Sequence, residues 1–222
     1  MLQFFTRMKL FKTTENHKDY WKNRQIDWDK SYRQTWQHPH RAVICAGLRL
    51  FDWLSIIEIG CGGGANLVKI IKEFPGRQIG GVDINQDAIE LCQKTFKGGL
   101  FKVGSGDDVM LSDKSTDVVL SDMTLIYVSP FKIKDYLLEM KRLGRNYIVL
   151  CEFHSINFLS RLKLKIKTGY FAHNYKRLLE KIGCYDIMEY KLKPEDWPDE
   201  NGIGHDPQKT YAYLIIARIP KR

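Results

Sequence analysis

The sequence has no paired cysteine motif, no long apolar run and no internal repeat, and each absence narrows the class of protein. Its five cysteines are scattered and none forms a C-x-x-C pair, so neither a zinc knuckle nor a disulfide framework is indicated. No apolar run approaches the roughly 20 residues that span a bilayer, and the first residues lack the pattern of a signal peptide. We therefore expect a cytoplasmic protein, without a transmembrane segment, that folds as one structural unit.

The composition is that of an ordinary globular chain. Hydrophobic residues make up 44% and charged residues 27% of the 222 residues, enough to bury a full core. The net charge of +9 is uneven, with +5 in residues 1–53, −3 in residues 54–130 and +7 in residues 131–222. Basic flanks fit an anionic substrate, a nucleic acid or a membrane surface, but solubility alone also accounts for them.

The chain is organised around residues 55–67, which read Ser-Ile-Ile-Glu-Ile-Gly-Cys-Gly-Gly-Gly-Ala-Asn-Leu. The apolar run predicts a buried parallel strand, and the pattern from Ala65 onward predicts a helix. Between them, Gly60, Gly62 and Gly64 allow a sharp turn and let a ligand lie against bare peptide groups. The helix N-terminus behind the turn offers unpaired N–H donors to that ligand.

A second acid follows at the end of the next predicted strand. Residues 78–83 have the pattern of a strand that ends at Asp83, and Asn85 is placed to cap the following helix. Asp83 stands 25 positions after Glu58, at the carboxyl end of the neighbouring strand. A carboxylate in that place can accept hydrogen bonds from both ribose hydroxyls of a nucleoside.

The spacing E-x-G-x-G-x-G differs from the dinucleotide fingerprint G-x-G-x-x-G. It resembles the first motif of the class I S-adenosylmethionine-dependent methyltransferases, and Gly-Val-Asp-Ile-Asn at residues 81–85 resembles their second. The resemblance covers about residues 55–218. It implies a Rossmann-like three-layer α/β sandwich with a seven-stranded, mostly parallel sheet and an antiparallel last strand. It also implies S-adenosyl-L-methionine as cofactor and S-adenosyl-L-homocysteine as product.

The resemblance further implies which residues hold the cofactor. The glycine turn would cradle its amino-acid end, Asp83 its ribose, and an acid after the third strand its adenine. That region departs from the usual Gly-Asp-Ala pattern, since Ser105 stands where the acid is expected; we assign the role to Asp107, with Asp108 as the alternative. The residues that we expect to bind the cofactor are Glu58, Gly60, Cys61, Gly62, Gly64, Asn66, Asp83, Ile84, Gly106, Asp107, Asp122 and Met123.

The fourth predicted strand, residues 117–122, resembles the family's fourth motif, whose end faces the transferred methyl group. It is followed by Met-Thr-Leu-Ile-Tyr-Val rather than by the Asp/Asn/Ser-Pro-Pro-Tyr/Phe tetrapeptide of amino-group DNA methyltransferases. This argues against methylation of exocyclic amines in DNA. Other nucleic-acid positions are not excluded.

Outside the central motifs we expect an N-terminal helical cap at residues 1–53 and a methyltransferase domain at residues 54–222. The cap's aromatic residues either wall the pocket or pack on the main domain. We interpret His38 and His40 as a loop feature, because residues two apart do not share a helix face, and we expect no metal site. The aromatic residues of the cap are Tyr20, Trp21, Trp28, Tyr32 and Trp36.

Residues 154–173 form a predicted lid or insertion. Residues 161–167 alternate basic and apolar side chains, which fits a strand better than a helix. This segment would act as a substrate lid, an anion contact or a membrane-surface patch, or would simply be a solvated edge strand blunted by lysines.

The chemistry that the resemblance implies is in-line attack of a substrate nucleophile on the cofactor's methyl group. His154 and His173 are the candidate general bases, and Tyr127 is a candidate to orient the acceptor. We expect an O, N or S nucleophile on a small, possibly anionic, molecule. Two alternatives stay open: an RNA- or ribosome-directed methyltransferase, with nucleic acid possible but not favoured, and a cofactor-binding module without activity. The sequence does not predict the oligomeric state.

Overall fold

The chain forms one mixed seven-stranded sheet in a computed structural model that describes residues 17–197 and 212–221. The strands are β1 (Ser55–Ile59), β2 (Gln78–Asp83), β3 (Leu100–Val103), β4 (Thr116–Asp122), β5 (Gly144–Phe153), β6 (Tyr185–Lys191) and β7 (Ala212–Arg218). Their order across the sheet is β3-β2-β1-β4-β5-β7-β6. Strands β1 to β5 pair in parallel, whereas β7 runs antiparallel to both of its neighbours. The predicted fold class and the antiparallel last strand are confirmed.

Helices cover both faces of this sheet. They are α1 (His17–Lys22), α2 (Trp28–Ser31), α3 (Pro39–Leu48), α4 (Ala65–Glu73), α5 (Gln86–Thr95), α6 (Ile133–Leu143), α7 (Phe158–Thr168) and α8 (Tyr175–Lys181), with short 3-10 turns at Arg33–Gln37 and Leu125–Tyr127. In the described ranges, none of them is both long and apolar enough to cross a bilayer.

The core has two halves because successive residues of each central strand point to opposite faces. Ile56 of β1 packs with α3, α4 and α5, while Ile57 packs with α6 and α8. All five residues of β1 are buried, as are the first six of the seven in β4. Such double coverage is what a parallel sheet requires, and it leaves the carboxyl ends of the strands as the edge where ligand-binding loops collect.

The basic segment at residues 161–167 corrects one prediction. It belongs to helix α7 and not to a strand. The Asn157 side chain caps the helix by accepting the Ser160 N–H, and Gly169 ends it in the left-handed conformation. Lysine and leucine are good helix formers, so these two end signals override the alternating pattern.

The N-terminal helices rest on the same edge of the sheet as the glycine turn. Asn85 anchors them, since its amide group donates to the carbonyl oxygens of Trp21 and Arg24 at 2.9 Å each. Its side-chain oxygen meanwhile accepts the Ala88 N–H and caps α5. The division into a cap at 1–53 and a domain at 54–222 stays a prediction, and residues 1–16 of that cap lie outside the described residues.

Candidate functional site

The turn after β1 has the backbone geometry that only glycine adopts without strain. Gly60, Gly62 and Gly64 have φ angles of +73°, +49° and +80°. The Gly60 N–H donates to the Val82 carbonyl at 2.7 Å, which ties the turn to the end of β2. A Cβ at Gly60 would overlap the Thr124 side chain. At Gly60 the turn therefore packs against the loop after β4 with no room for a side chain.

Asp83 closes this turn from the next strand. One carboxylate oxygen, Oδ2, accepts the Gly62 N–H at 2.8 Å, and the other, Oδ1, accepts the Asn85 N–H at 2.9 Å. Burial raises the pKa of Asp83, and backbone N–H groups, including that of Ile84, oppose the rise. Asp83 thus fixes the relative position of two loops that meet at the carboxyl edge of the sheet.

A buried polar network lies between the turn and the end of β4. The Asn66 amide nitrogen donates to Glu58 Oε1 at 2.6 Å and to Asp122 Oδ2 at 2.9 Å. Arg41 Nη1 lies 3.1 Å from the same Asp122 oxygen and also donates to Asn66 Oδ1. His40 Nε2 lies 2.9 Å from it as well. Three predicted site residues are therefore brought together, and two residues of α3 join them.

The pKa values of the two acids of this network are shifted in opposite directions. Burial raises the pKa of Glu58 to about 8, despite the hydrogen bond from Asn66. Burial would also raise the pKa of Asp122, but His40 and Arg41 hold it well below its usual range. At neutral pH, Glu58 is therefore mostly protonated and Asp122 carries a negative charge.

Each acid also keeps one unused oxygen. In the part of the chain that the structure describes, Glu58 Oε2 and Asp122 Oδ1 are buried without a hydrogen-bond partner. Such atoms are rare in folded proteins and need a partner from a ligand or water. An amino-acid moiety fits both atoms: its ammonium group can donate to the charged Asp122, and its carboxylate can accept from the protonated Glu58.

Sequence reasoning missed His40 and Arg41. The interpretation of His40 as a loop feature is wrong, because it lies in the first turn of α3 with only 3% of its surface exposed. The Trp197 ring lies 4.2 Å from the His40 ring, centroid to centroid. Pro39 favours the first turn of a helix and so places the next two residues inside it, but it does not predict their contact with Asp122, 82 and 81 positions along the chain. No group of three potential metal ligands occurs in the described residues.

Aromatic residues of the N-terminal helices lie over the glycine turn. The Trp28 ring would be 3.4 Å from a Cβ at Gly62, and the Trp28 carbonyl oxygen would be 2.6 Å from one at Gly63. The ring of Trp21 lies 5.2 Å from that of Tyr127, centroid to centroid. These two aromatic residues therefore pack on the main domain beside the glycine turn, and the alternative that they wall the pocket stays a prediction.

Asp107, which we expect to contact the adenine, binds a lysine of the N-terminal helices. Asp107 accepts from Lys18 Nζ at 2.7 and 2.8 Å, and from the Ser105 hydroxyl. Although burial opposes it, these contacts hold the pKa of Asp107 below its ordinary value. The adjacent Gly106 is buried, and a Cβ there would be 3.0 Å from the Tyr136 ring. The role of Asp107 toward adenine stays a prediction.

The two candidate bases are held by contacts within the chain. His154 Nδ1 accepts the Tyr175 N–H at 3.2 Å, and its Nε2 lies 3.1 Å from Glu189 Oε1. His173 Nε2 lies 3.0 Å from the Val128 carbonyl oxygen. Burial lowers the pKa of each histidine to about 4, so both are neutral at pH 7. They lie where β5 meets α8, and their catalytic roles stay predictions.

The other predicted site residues lie around the same turns. Cys61 is buried, and its sulfur would be 2.5 Å from a Cβ at Gly81. Met123 follows β4 with a φ of +49°, a conformation that is strained for a residue other than glycine. Burial raises the pKa of Tyr127 well above its usual value, so its hydroxyl stays protonated.

Glu152, at the end of β5, was not among the predicted site residues. It is fully buried and accepts from the Ser121 hydroxyl at 2.8 Å and from the Thr124 and Leu125 N–H groups at 3.0 Å each. Burial raises its pKa to about 8. These contacts hold the loop after β4, and with it Thr124, against the glycine turn.

Known proteins resemble this chain in both sequence and fold. A family model described as a methyltransferase domain matches residues 56–146. Carboxy-S-adenosyl-L-methionine synthase 1 of Yersinia pseudotuberculosis is 26% identical over 133 residues, which cover 51% of this chain and 55% of that protein. The fatty-acid O-methyltransferase of Mycolicibacterium smegmatis is 31% identical over 68 residues, 30% of this chain and 25% of that protein. The chain thus spans about half the length, or less, of the curated relatives that it matches.

A solved structure extends the likeness to nearly the whole chain. Phosphoethanolamine N-methyltransferase 2 of Haemonchus contortus, in complex with S-adenosylhomocysteine, superposes with a TM-score of 0.70 over 94% of this chain and 61% of its own, at 12% identity. At that identity the likeness is one of fold. The predicted cofactor is confirmed, and the resemblance to the class I S-adenosylmethionine-dependent methyltransferases is supported by a methyltransferase-domain match over residues 56–146 together with the shared fold.

Proposed function

We propose that the protein transfers the methyl group of S-adenosylmethionine to an O, N or S nucleophile of a small molecule, either anionic or neutral. The observation that carries this proposal is the buried network of Glu58, Asn66 and Asp122 directly behind the glycine turn, with Asp83 at the next strand end. The cofactor supplies a methyl group already activated by a positively charged sulfur. The chain's own task is then alignment and exclusion of water.

Different residues of the proposed site contact different parts of the cofactor. The glycine turn offers bare peptide groups to the cofactor's amino-acid end, and the unused oxygen Oδ1 of the charged Asp122 accepts from its ammonium group. Asp83 accepts from the ribose hydroxyls, and Asp107 is our choice for the adenine. The aromatic residues over the turn, such as Trp28, exclude water from the reacting atoms.

The acceptor side is supported by fewer observations. A neutral histidine with a pKa of about 4 is a weak base at pH 7, which favours a nucleophile that reacts without full deprotonation, such as a carboxylate or a neutral amine. His154 and His173 are then positioning residues or weak bases, and Tyr127 keeps its proton and orients the acceptor by donating a hydrogen bond. The names of the relatives cover a fatty-acid O-methyltransferase and a carboxy-S-adenosyl-L-methionine synthase, so they do not agree on one reaction.

Calorimetric titration with S-adenosylmethionine and with S-adenosylhomocysteine tests the proposal. We expect both to bind one site per chain, and Asp83→Ala to weaken binding at least about tenfold, because a hydrogen-bonded carboxylate is lost from the site. The matched control is Asp87→Ala, an exposed acid four residues further along the chain, which should bind as the wild type does. Failure of both ligands to bind the wild type would refute the proposed enzyme.

A second set of measurements separates the alternatives. Binding of both ligands without methyl transfer to any of a broad set of acids, amines, thiols and phenols would favour a cofactor-binding module. Salt-sensitive binding to RNA, followed by methyl transfer to it, would favour the RNA-directed alternative. Transfer to a small acceptor, measured as S-adenosylhomocysteine formed, supports the proposal.

A further inference from the structure

Helix α7 presents a row of large apolar side chains to solvent. Leu164 is the buried residue of this eleven-residue helix. At about 100° per residue, Phe158, Leu162 and Ile166 fall along one line, and Leu159 lies beside it. The exposed fractions of the four side chains are 66% for Phe158, 45% for Leu162, 77% for Ile166 and 62% for Leu159. A contiguous apolar surface of this kind marks a site of interaction.

Cations border that row on both sides. Lys163 and Lys167 lie along one edge, and Arg161 and Lys165 lie along the other. The first two are exposed, whereas the second two are half-buried and donate to backbone carbonyls at the ends of the helix. No acid occurs anywhere in residues 153–179. The surface is therefore apolar in its centre and positive at its edges.

We propose that α7 docks on an anionic lipid membrane, lying in the plane of the interface. An interfacial helix of this type sinks its apolar row to the level of the acyl chains, while its lysines reach outward to anionic headgroups. A nucleic acid would place phosphates against the apolar row, where no cation lies. A membrane surface therefore matches the arrangement of α7 better than any polyanion in water.

The position of α7 determines which side of the protein would face the membrane. The helix begins five residues after the end of β5, at the carboxyl edge of the sheet. Docking would turn that edge, and the loops that hold the cofactor, toward the membrane. The inference stands apart from the proposed methyl transfer, because it depends only on the surface of α7.

Vesicle flotation with the purified full chain tests the proposal. We expect it to float with vesicles of phosphatidylcholine containing phosphatidylglycerol, to remain below with phosphatidylcholine alone, and to detach as salt is raised. The double variant Phe158→Ser/Ile166→Ser should bind at least about tenfold more weakly, because it loses the centre of the apolar row. The double variant Lys163→Gln/Lys167→Gln should lose about tenfold, because each lysine near the surface contributes.

Matched controls use residues of the same type elsewhere. Phe131→Ser removes an exposed phenylalanine outside α7, and Lys94→Gln/Lys97→Gln removes two exposed lysines on α5 and just after it. Both should bind vesicles as the wild type does. Since the substituted side chains of all four variants are exposed, their thermal unfolding should match that of the wild type, which shows that each has folded.

Three results would overturn the proposal. One is failure of the wild type to float with anionic vesicles, which would mean that α7 is covered by another part of the chain or serves another partner. A second is flotation that persists in both α7 variants. The third is a wild-type dimer that Phe158→Ser/Ile166→Ser dissociates while vesicles do not bind, since the helix would then contact a second copy of the chain.

Discussion

At the scale of single residues, two acids that share one amide differ in charge. Asn66 donates to both Glu58 and Asp122, yet their pKa values move in opposite directions. The difference lies in α3, since His40 and Arg41 contact Asp122 and not Glu58. Burial alone neutralises an acid, while a cation in contact keeps it charged. The charge of the site is therefore set by residues about twenty positions upstream of the glycine motif.

Glu152 gives the protein a dependence of stability on pH. Its folded pKa of about 8 lies above that of an unfolded carboxyl, so the folded state holds a proton that the unfolded state releases. Its contribution to stability therefore falls as pH rises through 8, by about 1 kcal/mol between pH 7 and pH 9. Urea unfolding at both pH values, for the wild type and for Glu152→Gln, measures this contribution.

The glutamine variant keeps the shape of the side chain and cannot ionise, so its stability should fall less between the two pH values. The exposed Glu180→Gln serves as the control and should follow the wild type. An identical decline in Glu152→Gln and the wild type would show that other groups carry the pH dependence.

His40 should contribute to stability, because it is buried in α3 and is not the loop residue that the sequence indicated. His40→Ala removes a buried partner of Asp122, and we expect the free energy of unfolding to fall by about 2 kcal/mol. His40→Gln retains a donor and should lose less. Urea unfolding compares the two, and equal losses would indicate that the packing of the imidazole ring against Trp197 matters more than the hydrogen bond.

At the scale of elements, two glycines allow the energetic cost of backbone strain to be measured apart from the cost of close packing. Gly60 and Gly76 both have positive φ angles, +73° and +80°, but a Cβ at Gly76 would meet nothing within 4 Å. Gly76→Ala should cost about 1 kcal/mol from backbone strain alone. Gly60→Ala should cost clearly more and weaken cofactor binding, because its methyl group overlaps Thr124.

Thermal unfolding and calorimetry of the two glycine variants check this difference. Equal destabilisation by both substitutions, with cofactor binding intact, would show that the loop after β4 yields to the added methyl group. In that case the close packing at Gly60 does not constrain the site.

Helix α7 shows that a pattern of alternating residues does not by itself distinguish a strand from a helix. Alternation along residues 161–167 fits a strand, but residues 158, 162 and 166 also repeat every four positions, as on a helix face. The cap at Asn157 and the left-handed Gly169 decide for the helix. The other strands and helices around the motifs were predictable, because buried parallel strands are nearly continuous apolar runs and glycine or proline follows several of the helices between them.

At the scale of the whole molecule, the order of the motifs made the sheet predictable. A strand, a glycine turn and a helix, repeated with acids at the strand ends, specify a parallel sheet with its ligand site at the carboxyl edge. The contacts of the cap were not predictable. Lys18 and Asp107 are 89 positions apart, and nothing in the spacing of either segment indicates that they meet.

Cofactor binding should stabilise the whole molecule. A ligand at about 100 times its Kd adds about 2.7 kcal/mol to the free energy of unfolding, provided that it binds only the folded state. For a chain of this size, that corresponds to a rise in Tm of roughly 5–10 °C. Differential scanning calorimetry with S-adenosylhomocysteine measures the shift, and Asp83→Ala at the same ligand concentration should show a smaller one.

The anchor at Asn85 has a consequence for rates. Its amide group holds the end of α1 over the strand end that carries Asp83, and Trp28 lies on the glycine turn. If the cofactor binds at the glycine turn as we propose, this segment has to open before cofactor and product exchange. We expect product release to limit steady-state turnover, with a burst of S-adenosylhomocysteine in the first cycle. Asn85→Asp, which keeps the oxygen that caps the helix at Gln86–Thr95 but loses the amide donor to α1, should speed release and reduce the burst.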